Sequence, residues 1–207
     1  MIFICSHTSS IPYTILEPYH IILPIDYPDR PNIANKVAYR HLRGMYFIWK
    51  NLALFNYPDE ITICQQRRHL KDFHIPIGYD LVLPPQDNKL PVYTQWWTCR
   101  HDPNHDMKYI EALIEILPGF KKYSMIPNNP YARYHNMGVY PLEMYKQLCS
   151  FLFGTLRRIE DLTNLDPTGD IHTYAFLGER IADYWHWNHS HYKVFESPVV
   201  TYGKTDV

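Results

Sequence analysis

The 207-residue chain is predicted to be an α/β protein with a mostly parallel central sheet flanked by helices. Short apolar, β-branched runs bounded by Pro, Asp or Ser alternate with longer segments of helical period, and such alternation builds a layered α/β architecture. The aromatic-faced segment NIANKVAYRHLRGMYFIWKN (Asn32–Asn51) leads within a few residues into the strand-like DEITICQQRRHL (Asp59–Leu70). The length suits one well-buried α/β domain and barely two, so residues 1–207 are read as a single domain.

In chain order, the strand candidates are Ile2–Cys5, His20–Ile25, Glu60–Cys64 and Tyr79–Leu83, with Met137–Pro141 as a further central strand. A first helix is expected to begin near Asn35, with Leu42, Met45 or Tyr46, and Trp49 on one face. A second places Met107, Ile110, Leu113, Ile114 and Leu117 together, with Asn104 as its cap. A third takes Pro141 into its first turn and buries Leu142, Tyr145, Leu148, Leu152, Leu156 and Ile159. A fourth spans about Phe176–Trp185. The Pro- and Asn-rich run Ile126–Tyr131 reads as a loop, and the tail after Ser197 as an edge strand or a frayed end.

Composition narrows the function classes. Twenty basic residues face 21 acidic ones, so net charge implies neither a nucleic-acid nor an anionic-membrane partner. No stretch approaches the roughly 18 apolar residues of a spanning helix. The start, MIFICSHTSS, lacks a basic region and reads as a strand rather than a signal peptide. The four cysteines, Cys5, Cys64, Cys99 and Cys149, have no CxxC spacing and read as reduced thiols; the expected location is the cytoplasm. There is no Gly-rich loop ending in Lys-Ser/Thr, no GxGxxG, no GxSxG and no HExxH, which removes the common nucleotide hydrolases, dinucleotide enzymes, serine hydrolases and zincins.

The candidate chemistry lies in a few constellations. Arg67 and Arg68 end a strand, and ligands of open α/β sheets bind beyond the strand C-termini. Paired guanidinium groups match a diphosphate there, or form surface ion pairs. His189 and His191 in WHWNHSHY would point the same way if extended, and with a carboxylate could hold a divalent ion; a solvated aromatic loop is the alternative. Asp80 is a candidate metal ligand or a polar strand end. His101, Asp102, His105 and Asp106 are candidates for a substrate role, the two aspartates equally for helix N-terminal charges. Glu179 caps a helix, pairs with Arg180, or faces a pocket as base or nucleophile.

Taken together, NIANK…YFIWKN, ITICQQRRHL, YDLVLP, QWW…H…D, NMGVY and FLGER resemble, in order, the bacterial capsular-polysaccharide-synthesis domain family, grouped with the GT-A glycosyltransferases. The resemblance covers about residues 26–187. Over its whole length the chain also resembles N-terminal glycosyltransferase domains of multi-domain chlorella-virus proteins for capsid-glycan synthesis. The resemblance implies a GT-A (Rossmann-like) fold with a nucleotide sugar at the strand C-termini. It places Ser6 and His7 at the nucleoside, and Asn35 at the nucleotide. Arg67 and Arg68 fall where relatives carry an acidic metal-binding triplet. Asn136, Met137 and Gly138 would line the sugar or acceptor site with His101, and Glu179 would lie beneath the reacting carbon. The chain departs from the family at Gln65 and Gln66, where His-Tyr is usual, at His41 and Arg43, where Glu and Thr are, and in having no Asp-x-Asp triplet.

The expectation is therefore a glycosyltransferase moving a hexose or 6-deoxyhexose from a UDP-sugar to a glycan or glycoprotein acceptor, with Glu179 and Asp102 as the acceptor-activating candidates. The diphosphate would be neutralised either by the arginines or by Mn²⁺ or Mg²⁺ held by Asp80 with His189 or His191. Two rivals stand beside it: a metal-dependent nuclease or phosphohydrolase built on the C-terminal histidines, and a glycan-binding module using Trp96, Trp97, Trp185 and Trp187.

Overall fold

The computed structural model describes residues 1–6, 17–86, 90–99, 106–129, 132–133, 135–164, 166–168 and 172–202. Its centre is an eight-stranded sheet. The strands are β1 (Ile2–Cys5), β2 (Tyr19–Ile22), β3 (Glu60–Gln65), β4 (Arg68–Leu70), β5 (Leu81–Leu83), β6 (Gly138–Pro141), β7 (Val194–Glu196) and β8 (Val199–Thr201). The main path runs β2-β1-β3-β6-β5-β7, and β4 and β8 extend from the end of β3.

Pairing is mixed. β1–β2, β1–β3 and β5–β7 are parallel, whereas β3–β4, β3–β6, β4–β8 and β5–β6 are antiparallel. Propagating those directions leaves only β4 and β6 reversed, so strand direction is mainly shared even though antiparallel contacts outnumber parallel ones. The register matters for function. Cys5 lies level with Gln65, and Ile63 lies level with Gly138. The exits of β1 and β3 and the entrance of the reversed β6 therefore meet at one end of the sheet.

β1 and the interior of β3 are buried throughout, the pattern expected of central strands covered on both faces. Alternate side chains divide between two environments. Phe3, Ile63, Leu81 and Tyr140 join the large core shared with the helices. Ile2, Ile4 and Cys64 pack on Phe73 and Tyr202, and Val82 and Val139 pack with Ile75, Phe195 and Val199.

The helices are α1 (Leu42–Lys50), α2 (Val92–Thr98), α3 (Met107–Ile116), α4 (Phe120–Ser124), α5 (Leu142–Thr163) and α6 (Thr173–Asn188). α5 is the long central helix. It buries Tyr145, Leu148, Cys149, Leu152, Leu156 and Ile159 at the spacing expected of one apolar face. Each fully buried Leu or Ile contributes roughly 1.5–3 kcal/mol of transfer free energy. α6 is buried along most of its length, so its residues sit between the other helices and the site.

Several boundaries differ from the sequence expectation: the strand expected from Tyr79 starts at Leu81, and the helix expected over about Phe176–Trp185 runs from Thr173 to Asn188. The first helix starts at Leu42, not near Asn35, because Arg40 has φ 48° and interrupts the chain after a short 3-10 turn at Val37–Tyr39. A bulky residue at positive φ cannot continue a right-handed helix. α3 is capped by Asp106, whose carboxylate accepts from Lys108 N at 3.0 Å, while Asn104 lies outside the described residues. The second strand ends at Ile22 because Pro24 begins a 3-10 turn. The tail after Ser197 does form an edge strand, β8, paired with β4.

Candidate functional site

The β3–β4 connection is a tight hairpin in which Gln66 and Arg67 form the turn and Gln65 pairs with Arg68. This puts the arginine pair beside the ends of β1 and β3. A cavity of about 440 Å³ opens there. Cys5, Gln65, Gln66, Arg67 and Arg68 line it from the sheet, and Arg40 and His41 from the approach to α1. α6 and its cap contribute His172, Ala175, Phe176 and Glu179. The spacing i, i+3, i+4, i+7 of those last four places them on one helical stripe.

The approach to Arg40 is clamped. Lys36 Nζ donates to both Glu160 oxygens at 2.7 Å, and the Tyr39 hydroxyl donates to Glu160 Oε1 at 2.5 Å. Tyr39 also stacks on Tyr174, ring centres 4.5 Å apart. The 3-10 turn is thus fastened to α5 and α6, so the backbone at Arg40 is held where it bends.

A second clamp positions the entrance to β6. Arg133 is 5% exposed; its Nη1 donates to Glu196 Oε1 at 2.9 Å and to the Pro84 carbonyl, and its backbone N donates to Asp183 Oδ2 at 3.2 Å. That network ties the segment before His135 to β5, β7 and α6. Asn136 and Met137 follow, both buried. Asn136 Nδ2 lies 3.0 Å from His41 Nε2 and 3.4 Å from the Ala175 carbonyl. Arg68 Nη1 lies 3.4 Å from His135 Nδ1.

Electrostatically the cavity is cationic. Arg40, Arg67 and Arg68 face a single lining carboxylate, Glu179, which lies 3.9 Å from Arg180. Burial, reinforced by His135, Arg68 and His172, holds the His41 imidazole down at about 4. His41 is therefore neutral at physiological pH and acts through hydrogen bonding. Burial pushes the Cys5 thiol far above its ordinary range, so it is not a thiolate nucleophile near neutrality.

The residues singled out from sequence divide clearly. Arg67, Arg68 and Glu179 line the cavity. Ser6 is buried just past β1, its N donating to the Ile22 carbonyl at 3.2 Å, and Asn136, Met137 and Gly138 enter β6 at the same sheet end. Asn35 does not line the cavity; it is exposed in a turn, and Arg40 and His41 take the place expected for it. His7, His101 and Asp102 lie outside the described residues.

The expected metal trio is not assembled. Asp80 precedes β5 at the other end of the sheet, where its carboxylate accepts from Lys193 N at 2.7 Å. His189 caps α6 by folding back, its Nδ1 2.7 Å from the Trp185 carbonyl and its ring stacked on Trp185, centres 4.0 Å apart, with Tyr192 alongside. Among the described residues no group of three or more His, Cys, Asp or Glu is arranged to hold a metal ion. The aromatic binding surface also loses members: Trp96 is fully buried with Nε1 donating to the Asp106 carbonyl at 3.0 Å, and Trp185 is buried.

Residues 29–190 match the family described as Domain of unknown function (DUF4422). The chain belongs to this family. The matched stretch takes in the arginine hairpin, the β6 entrance and the whole of α6. No curated protein matches the sequence. Among solved structures, the fold is similar to that of WbbM, a bifunctional glycosyltransferase in its apo form, with a TM-score of 0.72 and 14% identity. The similarity covers 98% of this chain and 45% of WbbM, so the chain spans less than half of that protein. The shared feature is the fold: a mixed α/β sheet flanked by helices. No helix among the described residues is long and apolar enough to cross a membrane.

Proposed function

We propose that the chain is a glycosyltransferase that moves a hexose or 6-deoxyhexose from a UDP-sugar to a glycan or glycoprotein acceptor. The observation that carries this reading is the cavity at the strand ends, whose described wall holds three arginines, Arg40, Arg67 and Arg68, and one carboxylate, Glu179. Three guanidinium groups suit a departing diphosphate, which accepts parallel N–H bonds from each. A fold shared with a bifunctional glycosyltransferase supports the same conclusion. The resemblance to chlorella-virus domains points to capsid-glycan synthesis as the setting.

In the reaction, the acceptor hydroxyl oxygen bonds to the anomeric carbon and the bond from that carbon to the β-phosphate oxygen breaks. UDP leaves with the electron pair, and the hydroxyl proton passes to a base. The arginines stabilise the charge that develops on the diphosphate, the type of term that dominates many such reactions. Glu179, the carboxylate of the described cavity wall, takes the proton or faces the positive charge at the sugar in this reading; Asp102 is the second candidate. Asn136 orients the neutral His41 ring. Neutralisation of the diphosphate by Mn²⁺ or Mg²⁺ would need donors beyond the described cavity wall, because Glu179 is its only carboxylate.

The test is a calorimetric titration with UDP, other nucleoside diphosphates and several UDP-sugars, each with and without Mn²⁺. UDP binding well above the other diphosphates, undiminished without Mn²⁺ and weakened in Arg67→Ala, is the expected result. An absence of nucleotide binding under both conditions would refute the transferase reading.

A further inference from the structure

A second cavity shares Arg68 with the first. It encloses about 590 Å³. Arg68 and His135 form one side, Gln86 and Thr201 contribute polar atoms, and Pro198 and Val199 make an apolar floor. The wall is built by strand pairing: Arg68 lies opposite Thr201, and Leu70 opposite Val199. The charge is one-sided as well. Among the described residues that line the cavity, the titratable ones are Arg68 and His135, and there is no carboxylate. Two described carboxylates near in sequence are engaged elsewhere. Glu196 takes Arg133 at 2.9 Å, and Asp72 accepts from the Ser197 hydroxyl at 2.9 Å.

We propose that this second cavity is the acceptor site, and that it takes an acidic sugar unit, one carrying a carboxylate or a phosphate. The assignment rests on the glycosyltransferase reading above. Arg68 is the common wall, so a molecule in the second cavity meets the first past a guanidinium that already faces the diphosphate. A neutral sugar leaves that side of the cation facing only dipoles. A carboxylate or phosphate accepts two parallel N–H bonds from it and a further one from His135. The apolar floor takes the C–H face of the pyranose ring, whose burial releases ordered water. Arg68 thereby couples the two substrates, because each anion screens it from the other.

The test uses ligand-detected NMR titration of the whole chain, first with UDP alone and then, at saturating UDP, with methyl glucoside, methyl glucuronide, glucose 6-phosphate and inorganic phosphate. Methyl glucuronide or glucose 6-phosphate is expected to bind at least tenfold more tightly than methyl glucoside, and the tighter of the two names the anion. Gln86→Glu is nearly isosteric, lines the second cavity and not the first, and is expected to abolish that preference while UDP still binds. Equal affinity for neutral and acidic probes would overturn the proposal, as would acid-sugar binding unaffected by Gln86→Glu. Inorganic phosphate binding as tightly as glucose 6-phosphate would also overturn it, since no sugar would then be recognised. Loss of UDP binding with Gln86-sensitive acid-sugar binding intact would instead sink the transferase reading and keep the acidic-sugar site.

Discussion

Asn136 Nδ2 sits 3.0 Å from His41 Nε2, joining the entrance of β6 to the start of α1 across a gap of 95 residues. Asn136 is buried and His41 half-buried in the cavity wall, and the amide fixes which way the neutral imidazole faces. Replacing the amide by a carboxylate reverses the electrostatics without changing the shape. In Asn136→Asp the His41 titration, followed by NMR of the ring protons, is expected to move up from about 4 to near or above the ordinary histidine value. An unmoved titration would show that the two side chains do not interact in solution.

Arg40 combines a left-handed backbone, φ 48°, with a place in the cavity wall. Such a conformation costs on the order of 1 kcal/mol for a non-glycine residue and persists where the surroundings enforce it. Arg40→Gly is therefore expected to raise the melting temperature while weakening UDP binding about tenfold or more. Stability and affinity moving in the same direction would contradict this account.

Glu179 is the one lining carboxylate, with a side chain 11% exposed and Arg180 3.9 Å away. Glu179→Gln keeps the volume and removes the charge. Turnover should fall by about 10²–10⁴, the usual range for losing a positioned acid or base, while UDP affinity changes little. Comparable losses in both would make the residue structural.

Gly44 is where α1 crosses β1. A Cβ at that position would stand 2.7 Å from Cys5 Sγ, 2.8 Å from Cys5 Cβ and 3.1 Å from Cys5 Cα. Because the obstacle includes backbone, the helix itself must shift. Gly44→Ala is expected to cost about 1–3 kcal/mol, as overpacked cores do, despite alanine's better helix propensity. Chemical denaturation measures it directly, and an unchanged or higher stability would contradict the contact.

His186 is stacked on Tyr140 with ring centres 6.1 Å apart. Neither ring nitrogen has a hydrogen-bond partner among the described residues. Burial, then the charges of Arg133 and His189, hold its imidazole down at about 3. The unfolded chain takes up a proton near pH 6.5 that the folded chain refuses. Stability is therefore complete above about 6.5 and falls as pH drops toward 3, by about 1.4 kcal/mol per pH unit for this one group. His186→Phe should flatten that slope between pH 6.5 and 4, the remaining acid sensitivity coming from His41. Identical slopes in variant and wild type would place His186 in contact with water.

Much of the scaffold was legible from residue pattern. β1, β3 and β6 appear where short β-branched runs stand between turn residues, and α5 follows its apolar periodicity from Pro141 onward. Elements held mainly by distant partners were not. α2 and α4 are only 7 and 5 residues long, too short for periodicity to reveal. β7 has a partner more than 100 residues away, Leu83 lying opposite Glu196.

The site follows the same division. Local sequence determined the arginine pair after a central strand and the carboxylate on α6, because strand exits and helical stripes are set within a few residues. Tertiary structure alone decided that Arg40, His41, His135 and His172 gather beside them, for these come from three segments joined only by the register of β1, β3 and β6 and by the clamps at Glu160 and Arg133. It also sent Asp80, His189 and His191 to the other end of the sheet. A residue's chemistry is written in its side chain, but its company depends on which strand ends are brought level, and that is fixed by packing over the whole chain.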